Sequence, residues 1–140
     1  MEKFKGALVV GFLRLFALLP WRAVQAVGAA IGWLMWKLPN RSREVARVNL
    51  AKCFPELSAV EREALLGRAL MDIGRTFTES ACAWIWPAQK SIDLVREVEG
   101  LGVLEAALAS GKGVVGITSH LGNWEVLNHF YCAQCKPIIF

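Results

Sequence analysis

The chain has 140 residues, 55% of them apolar and 20% charged, with six tryptophans, four cysteines and a formal net charge of +4. Its mean hydropathy of +0.39 is high for a soluble domain and points to membrane association. Charge is uneven: residues 1–52 balance at +7 and residues 53–140 at −3. The basic residues are interleaved with apolar runs rather than with polar, groove-reading side chains, which argues against nucleic acid as the partner and for an anionic lipid surface.

From Phe4 to Leu38 the sequence is overwhelmingly apolar, interrupted by Lys5, Arg14 and Arg22 and broken at Pro20. Its longest uncharged stretch, Ala23 to Trp36, has 14 residues, whereas a spanning helix needs about 20. Two helices dipping into or lying on a leaflet are expected instead, with Arg14, Arg22 and Lys37 snorkelling and Trp21, Trp33 and Trp36 at the interface. Gly28-x3-Gly32 allows close approach of another helix. Arg14 intrudes on any apolar core of a cleaved signal peptide, which argues against one. The predicted boundary falls at 38/39, between membrane-associated helices (1–38) and a second region (39–140).

After Pro39, Arg41 to Lys52 reads as a basic amphipathic helix whose exposed face is solvated or turned to head groups. Ser58 with Glu61 forms a capping box. Leu65, Leu66, Ala69, Leu70, Ile73 and Phe77 recur at helical spacing until Pro87 and are expected as core. Arg75 and Glu79, four apart, read as a surface ion pair. Leu94–Glu99 reads as a strand, Leu101–Ala109 as a helix, Val114–Thr118 as a buried strand, Trp124–Ala133 as a helix and Lys136–Phe140 as the opening of another strand. This alternation predicts an α/β fold: N-terminal membrane-associated helices, a helical segment, then the start of a mainly parallel sheet flanked by helices, with the site beyond the strand C-termini.

Cys53 and Cys82 read as buried small hydrophobes. Cys132-x2-Cys135 lacks a second pair, so neither a metal site nor a disulfide is expected. There is no P-loop and no dinucleotide fingerprint. Ser119 has no Gly-x-Ser-x-Gly elbow around it, which argues against an acyl-serine intermediate.

Chemistry is concentrated in Thr118-Ser119-His120-Leu121-Gly122-Asn123-Trp124-Glu125. A neutral imidazole takes a proton from an alcohol near neutral pH, and a nearby carboxylate fixes its tautomer and stabilises the imidazolium. Residues five apart on a helix lie roughly 140° from each other. His120 is therefore expected before the helix, with Asn123 as N-cap and Glu125 in the first turn, where a carboxylate favours the positive helix end. For an isolated His-x4-Glu the ordinary reading is a polar loop residue and a first-turn acid.

The run His120-Leu121-Gly122-Asn123-Trp124-Glu125 resembles the HX4(D/E) signature of lysophospholipid acyltransferase-like enzymes, and its Gly-Asn-Trp-Glu filling resembles the lipid A late acyltransferases. Asn49-Leu50, Cys53-Phe54-Pro55-Glu56-Leu57-Ser58 with Glu61-Arg62, and Val98-Glu99-Gly100 leading to Leu104, Gly111 and Gly113 are similar to that family's upstream landmarks in the same order. The resemblance implies an O-acyltransferase in which His120, oriented by Glu125, deprotonates an acceptor hydroxyl. Its donor would be an acyl carrier protein thioester, ahead of acyl-CoA. Its acceptor would be a glycolipid, an acylated, phosphorylated glucosamine disaccharide. Amides near Gly122 and Asn123 are candidate oxyanion donors. No cofactor or metal is required by this chemistry. The implied location is the cytoplasmic face of the bacterial inner membrane. Family members are considerably longer and carry downstream basic motifs without counterparts here, so residues 39–140 are expected to be the N-terminal part of an acyltransferase domain, incomplete at its C-terminus. A related enzyme acting on a lysophospholipid, phosphoinositol mannoside or aminolipid, and a non-catalytic membrane-bound interaction module, are the alternatives.

Overall fold

The computed structural model describes residues 2–134. Among the described residues seven helices follow one another: α1 (Glu2–Ala17), α2 (Trp21–Lys37), α3 (Arg41–Cys53), α4 (Ala59–Ile85), α5 (Ala88–Ile92), α6 (Leu101–Ala109) and α7 (Trp124–Gln134). The chain divides into two compact units, Met1–Cys82 and Ala83–Phe140.

The helix boundaries of the first unit follow from prolines and caps. Pro20, at φ −64° and ψ 146°, stands as N-cap of α2, and its fixed φ suits a helix entrance. Leu38 ends α2 in an extended conformation, φ −92° and ψ 143°, because the ring of Pro39 disfavours helical geometry in the residue before it. Asn40 then does two jobs. Its Oδ1 accepts from the Arg43 amide at 2.9 Å and so caps α3, while its Nδ2 donates to the carbonyls of Met35 at 2.6 Å and Leu38 at 2.9 Å. Phe54, again before a proline, closes α3. The expected capping box opens α4: the Ser58 amide donates to Glu61 Oε2 at 2.8 Å and the Glu61 amide to Ser58 Oγ at 3.3 Å. Arg62 clasps the intervening turn, its Nη1 donating to the carbonyls of Phe54, Pro55 and Leu57.

The core of this unit is a seam of small residues between α2 and α4. Gly28 and Gly32 are buried. A methyl group on Gly28 would sit 2.6 Å from the Arg75 Cα, and one on Gly32 would overlap the Leu70 backbone. Gly74 of α4 answers them, packed against the Gly28 carbonyl. Thr78, buried beside it, donates its hydroxyl to Val24 O at 3.1 Å. Leu66, Leu70 and Val24 fill the rest. Close backbone approach of this kind requires residues without bulky side chains.

Several expectations for this unit are corrected. Ile73 and Phe77 are not core, and Phe77 is 73% exposed. The α4 seam instead runs through Leu66, Leu70, Gly74 and Thr78, because glycine and threonine allow the closer approach. Arg75 pairs with Asp72, three residues back, and Glu79 accepts from Gln25 Nε2 at 3.0 Å. Trp36 is half-buried: its ring lies against Gly67 and its Nε1 donates to Glu63 Oε1 at 2.8 Å. Of the two cysteines expected to be buried, Cys82 is and Cys53 is exposed.

Glu63 also receives Arg47 at 3.3 Å, with Arg43 at 3.8 Å. The indole hydrogen bond, then the arginines, hold its carboxyl below the ordinary value of about 4.5. A depressed carboxylate contributes stability that is present above the unfolded value and is lost as pH falls through the folded one. The helical melting temperature is therefore expected to drop as pH falls below about 4.5, and Glu63→Gln to flatten part of that slope. Identical acid profiles of the two proteins by circular dichroism would refute the linkage.

The predicted parallel sheet is overturned: among the described residues no strand forms. Leu94–Glu99 is a turn followed by irregular chain, and Val114–Thr118 is an irregular, exposed segment in which Ile117 is 96% accessible. Its β-branched residues have the local preference for a strand, but a strand is held by ladder bonds and cross-strand neighbours, and none of the described residues supplies them. Lys136–Phe140 and Cys135 lie outside the described residues. Among those described, no helix is long and apolar enough to cross a membrane.

Candidate active site

The second unit gathers the residues that carry chemistry. α5 packs on α7, and the Lys90 ammonium lies 3.8 Å from the centre of the Trp86 ring. Gly100, at φ +74°, turns the chain into α6. Gly111 and Gly113, at φ +70° and +79°, follow α6 in left-handed conformations that glycine adopts without a Cβ penalty. The irregular segment after Gly113 then delivers His120 to the loop before α7.

Asn123 starts α7 as expected. Its Oδ1 accepts from the amides of Glu125 at 3.2 Å and Val126 at 3.3 Å, satisfying two of the donors that a helix N-terminus leaves unpaired. Gly122 precedes it at φ +68°, a reversal that lets the loop turn into the helix. Asn123→Ala should cost about 1 kcal/mol of stability and fray the first turn of α7. A melting temperature unchanged from the parent would show that the cap carries no weight.

His120 is exposed and Glu125, the second residue of α7, is half-buried. The imidazole stands edge-on to Trp124, with ring centroids 4.7 Å apart and planes at 69°. No hydrogen bond joins it to Glu125 among the described residues. The structure therefore brings His120, Gly122, Asn123 and Glu125 into one loop-to-helix junction and leaves the imidazole against the Trp124 ring rather than on the carboxylate. The contact with Trp124 was not anticipated, although an aromatic four residues after a histidine in a tight turn is a usable signal.

Sequence reasoning also missed the groove beside this junction. Val95, Val98, Leu101, Leu104, Val126 and Phe130 line a cavity of about 440 Å³, and Asn123 borders it. Val126 and Phe130 lie four apart on one face of α7, a spacing visible in the sequence. Among the described residues no cluster of His, Cys, Asp and Glu gathers that would hold a metal ion.

The sequence profile of the bacterial lipid A biosynthesis acyltransferases matches residues 2–139. The chain belongs to that family. It is 31% identical over 130 residues to the lipid A biosynthesis palmitoleoyltransferase of Escherichia coli (strain K12), covering 93% of this chain and 42% of the relative. It is 33% identical over 110 residues to a lipid A biosynthesis acyltransferase of Haemophilus influenzae, covering 77% and 35% respectively. To the lauroyltransferase of E. coli K12 it is 28% identical over 117 residues, 84% of this chain and 38% of the relative. The chain thus spans less than half the length of these curated relatives. No solved structure matches it.

Proposed function

We propose that the protein of which these residues form part is an O-acyltransferase of lipid A biosynthesis, and that His120 and Glu125 are its base and orienting acid. The observation that carries the reading is the profile match over residues 2–139, which includes the His120-to-Glu125 junction at the start of α7. One ring nitrogen of His120 accepts the proton of an acceptor hydroxyl. The alkoxide oxygen attacks the thioester carbonyl, the C–S bond breaks, and the imidazolium returns its proton to the departing thiolate. For this the imidazole leaves the Trp124 ring and donates its other N–H to Glu125; catalytic hydrogen bonds are commonly long or unformed without substrate. Amides at Gly122 and Asn123 are the nearest candidates to receive the tetrahedral oxygen's charge.

The donor is an acyl carrier protein thioester and the acceptor a hydroxyl of an acylated, phosphorylated glucosamine disaccharide, presented at the cytoplasmic face of the inner membrane. The relatives' names support the lipid A acceptor. The test is transfer of labelled acyl chain from the carrier-protein thioester to a lipid A precursor by membranes carrying the full-length parent chain. Product that requires His120 supports the reading; product from the His120→Ala variant at the parental rate removes the dyad.

A further inference from the structure

α7 carries a second histidine that the acyl-transfer reading leaves unused. His129 is half-buried, and its Nδ1 is shielded from solvent without a hydrogen-bond partner. Buried polar atoms are almost always paired, because desolvation without a partner is unfavourable. Glu125, four residues earlier on the same helix, is also half-buried, and among the described residues nothing hydrogen-bonds its carboxylate. Residues four apart on a helix have Cβ atoms about 5–6 Å from each other, and helical side chains lean back over the residues three and four before them. For His129 those residues are Val126, which lines the apolar groove, and Glu125. An unpaired nitrogen thus neighbours an unpaired carboxylate.

We propose that His129 is a positioning residue for Glu125: one imidazole N–H donates to one carboxylate oxygen and leaves the other oxygen for His120. The proposal rests on the reading of Glu125 as the acid that orients His120. The carboxylate then bridges two imidazoles, one carried by α7 itself and one delivered by the preceding loop. Held by His129, it has its direction set before substrate arrives, and only the His120 ring has to turn. The helix packed on α7 offers one competitor. α5 makes that contact, but its Lys90 lies over the Trp86 ring, and Asp93 at its end accepts from Gln89 Nε2 at 2.9 Å. Ser91 is the rival, fully buried with an unpaired hydroxyl. A carboxylate is the stronger acceptor, by about twofold, and its spacing from His129 is fixed by the helix that carries both.

The chain contains two histidines, so His120→Gln leaves a single imidazole to observe by nuclear magnetic resonance. In that background, with isotope-labelled histidine, an N–H proton of the His129 ring is expected to resist exchange with water, and Glu125→Ala should abolish the signal. No protected signal, a signal indifferent to Glu125→Ala, or one lost with Ser91→Ala instead overturns the proposal, the last outcome assigning His129 to α5. In membranes carrying the full-length parent chain, His129→Leu should lower kcat by roughly tenfold with KM little changed, as a misplaced catalytic group does. His129→Gln keeps a donor and should recover most of that loss. Equal losses in the two variants would leave His129 a packing residue, and undiminished kcat in His129→Leu would remove it from the reaction; either overturns the proposal. Far-UV circular dichroism establishes that the variants are folded. A parent chain without transfer activity would refute the acyl-transfer reading, while the N–H signal still decides the pairing.

Discussion

Gly74→Ala is expected to lower the melting temperature of the helical unit by roughly 10 °C. Alanine is ordinarily the better helix residue, by about 1 kcal/mol over glycine, so an exposed glycine replaced in this way gains stability. Gly11 of α1 is the matching case: a methyl group added there would meet nothing within 4 Å, and Gly11→Ala should stabilise. At Gly74 the added carbon meets the Gly28 carbonyl and the Gly32 amide, which are backbone and cannot rotate away. Overpacking costs about 1–3 kcal/mol, and an obstruction made of main chain belongs at the upper end. For a domain of 60–100 residues each kcal/mol moves the melting temperature by roughly 4–8 °C. Opposite signs for the same substitution at positions 74 and 11, read in thermal melts, are the outcome that identifies the seam. Equal shifts at both would mean that α2 and α4 do not meet along these glycines.

His120→Ala is expected to reduce acyl transfer by roughly 10²- to 10⁴-fold, the usual contribution of positioned proton transfer, while leaving thermal stability close to that of the parent. The second half of that expectation comes from the geometry: the imidazole is exposed and stands against the Trp124 ring, so its removal opens no cavity. Glu125→Gln should reduce transfer by acting on His120, and combining it with His120→Ala should add little, because residues that act as a unit are not additive. Fully multiplicative losses would separate the two residues and leave Glu125 with a role of its own at the start of α7.

The parts of the fold that were legible in the sequence are those decided within a few residues. Pro20, Pro39 and Pro55 break the chain where their rings dictate, Ser58 and Glu61 cap reciprocally, and Asn123 starts α7 with its own carboxamide. Gly28 and Gly32 announced a close helix contact, but their counterpart Gly74 was hidden because periodicity in apolar residues favours Ile73 and Phe77 beside it. Val114–Thr118 shows the opposite failure. Its composition favours a strand, yet a strand is a property of pairs, and local preference is silent about whether a second one lies alongside. At the candidate site the junction and its cap were legible from spacing alone. The Trp124 ring beside the imidazole was not, since ring contact depends on the particular turn through Gly122.

Asn40→Asp would turn one carboxamide into a carboxylate of nearly the same shape. At this joint the change would be read differently by the two helices it connects. The new carboxylate still accepts from the Arg43 amide, and its charge suits the positive start of α3, but it has no hydrogen to offer Met35 and Leu38 and faces the negative end of α2. One atom exchanged at this side chain would thus loosen the end of one helix while tightening the beginning of the next.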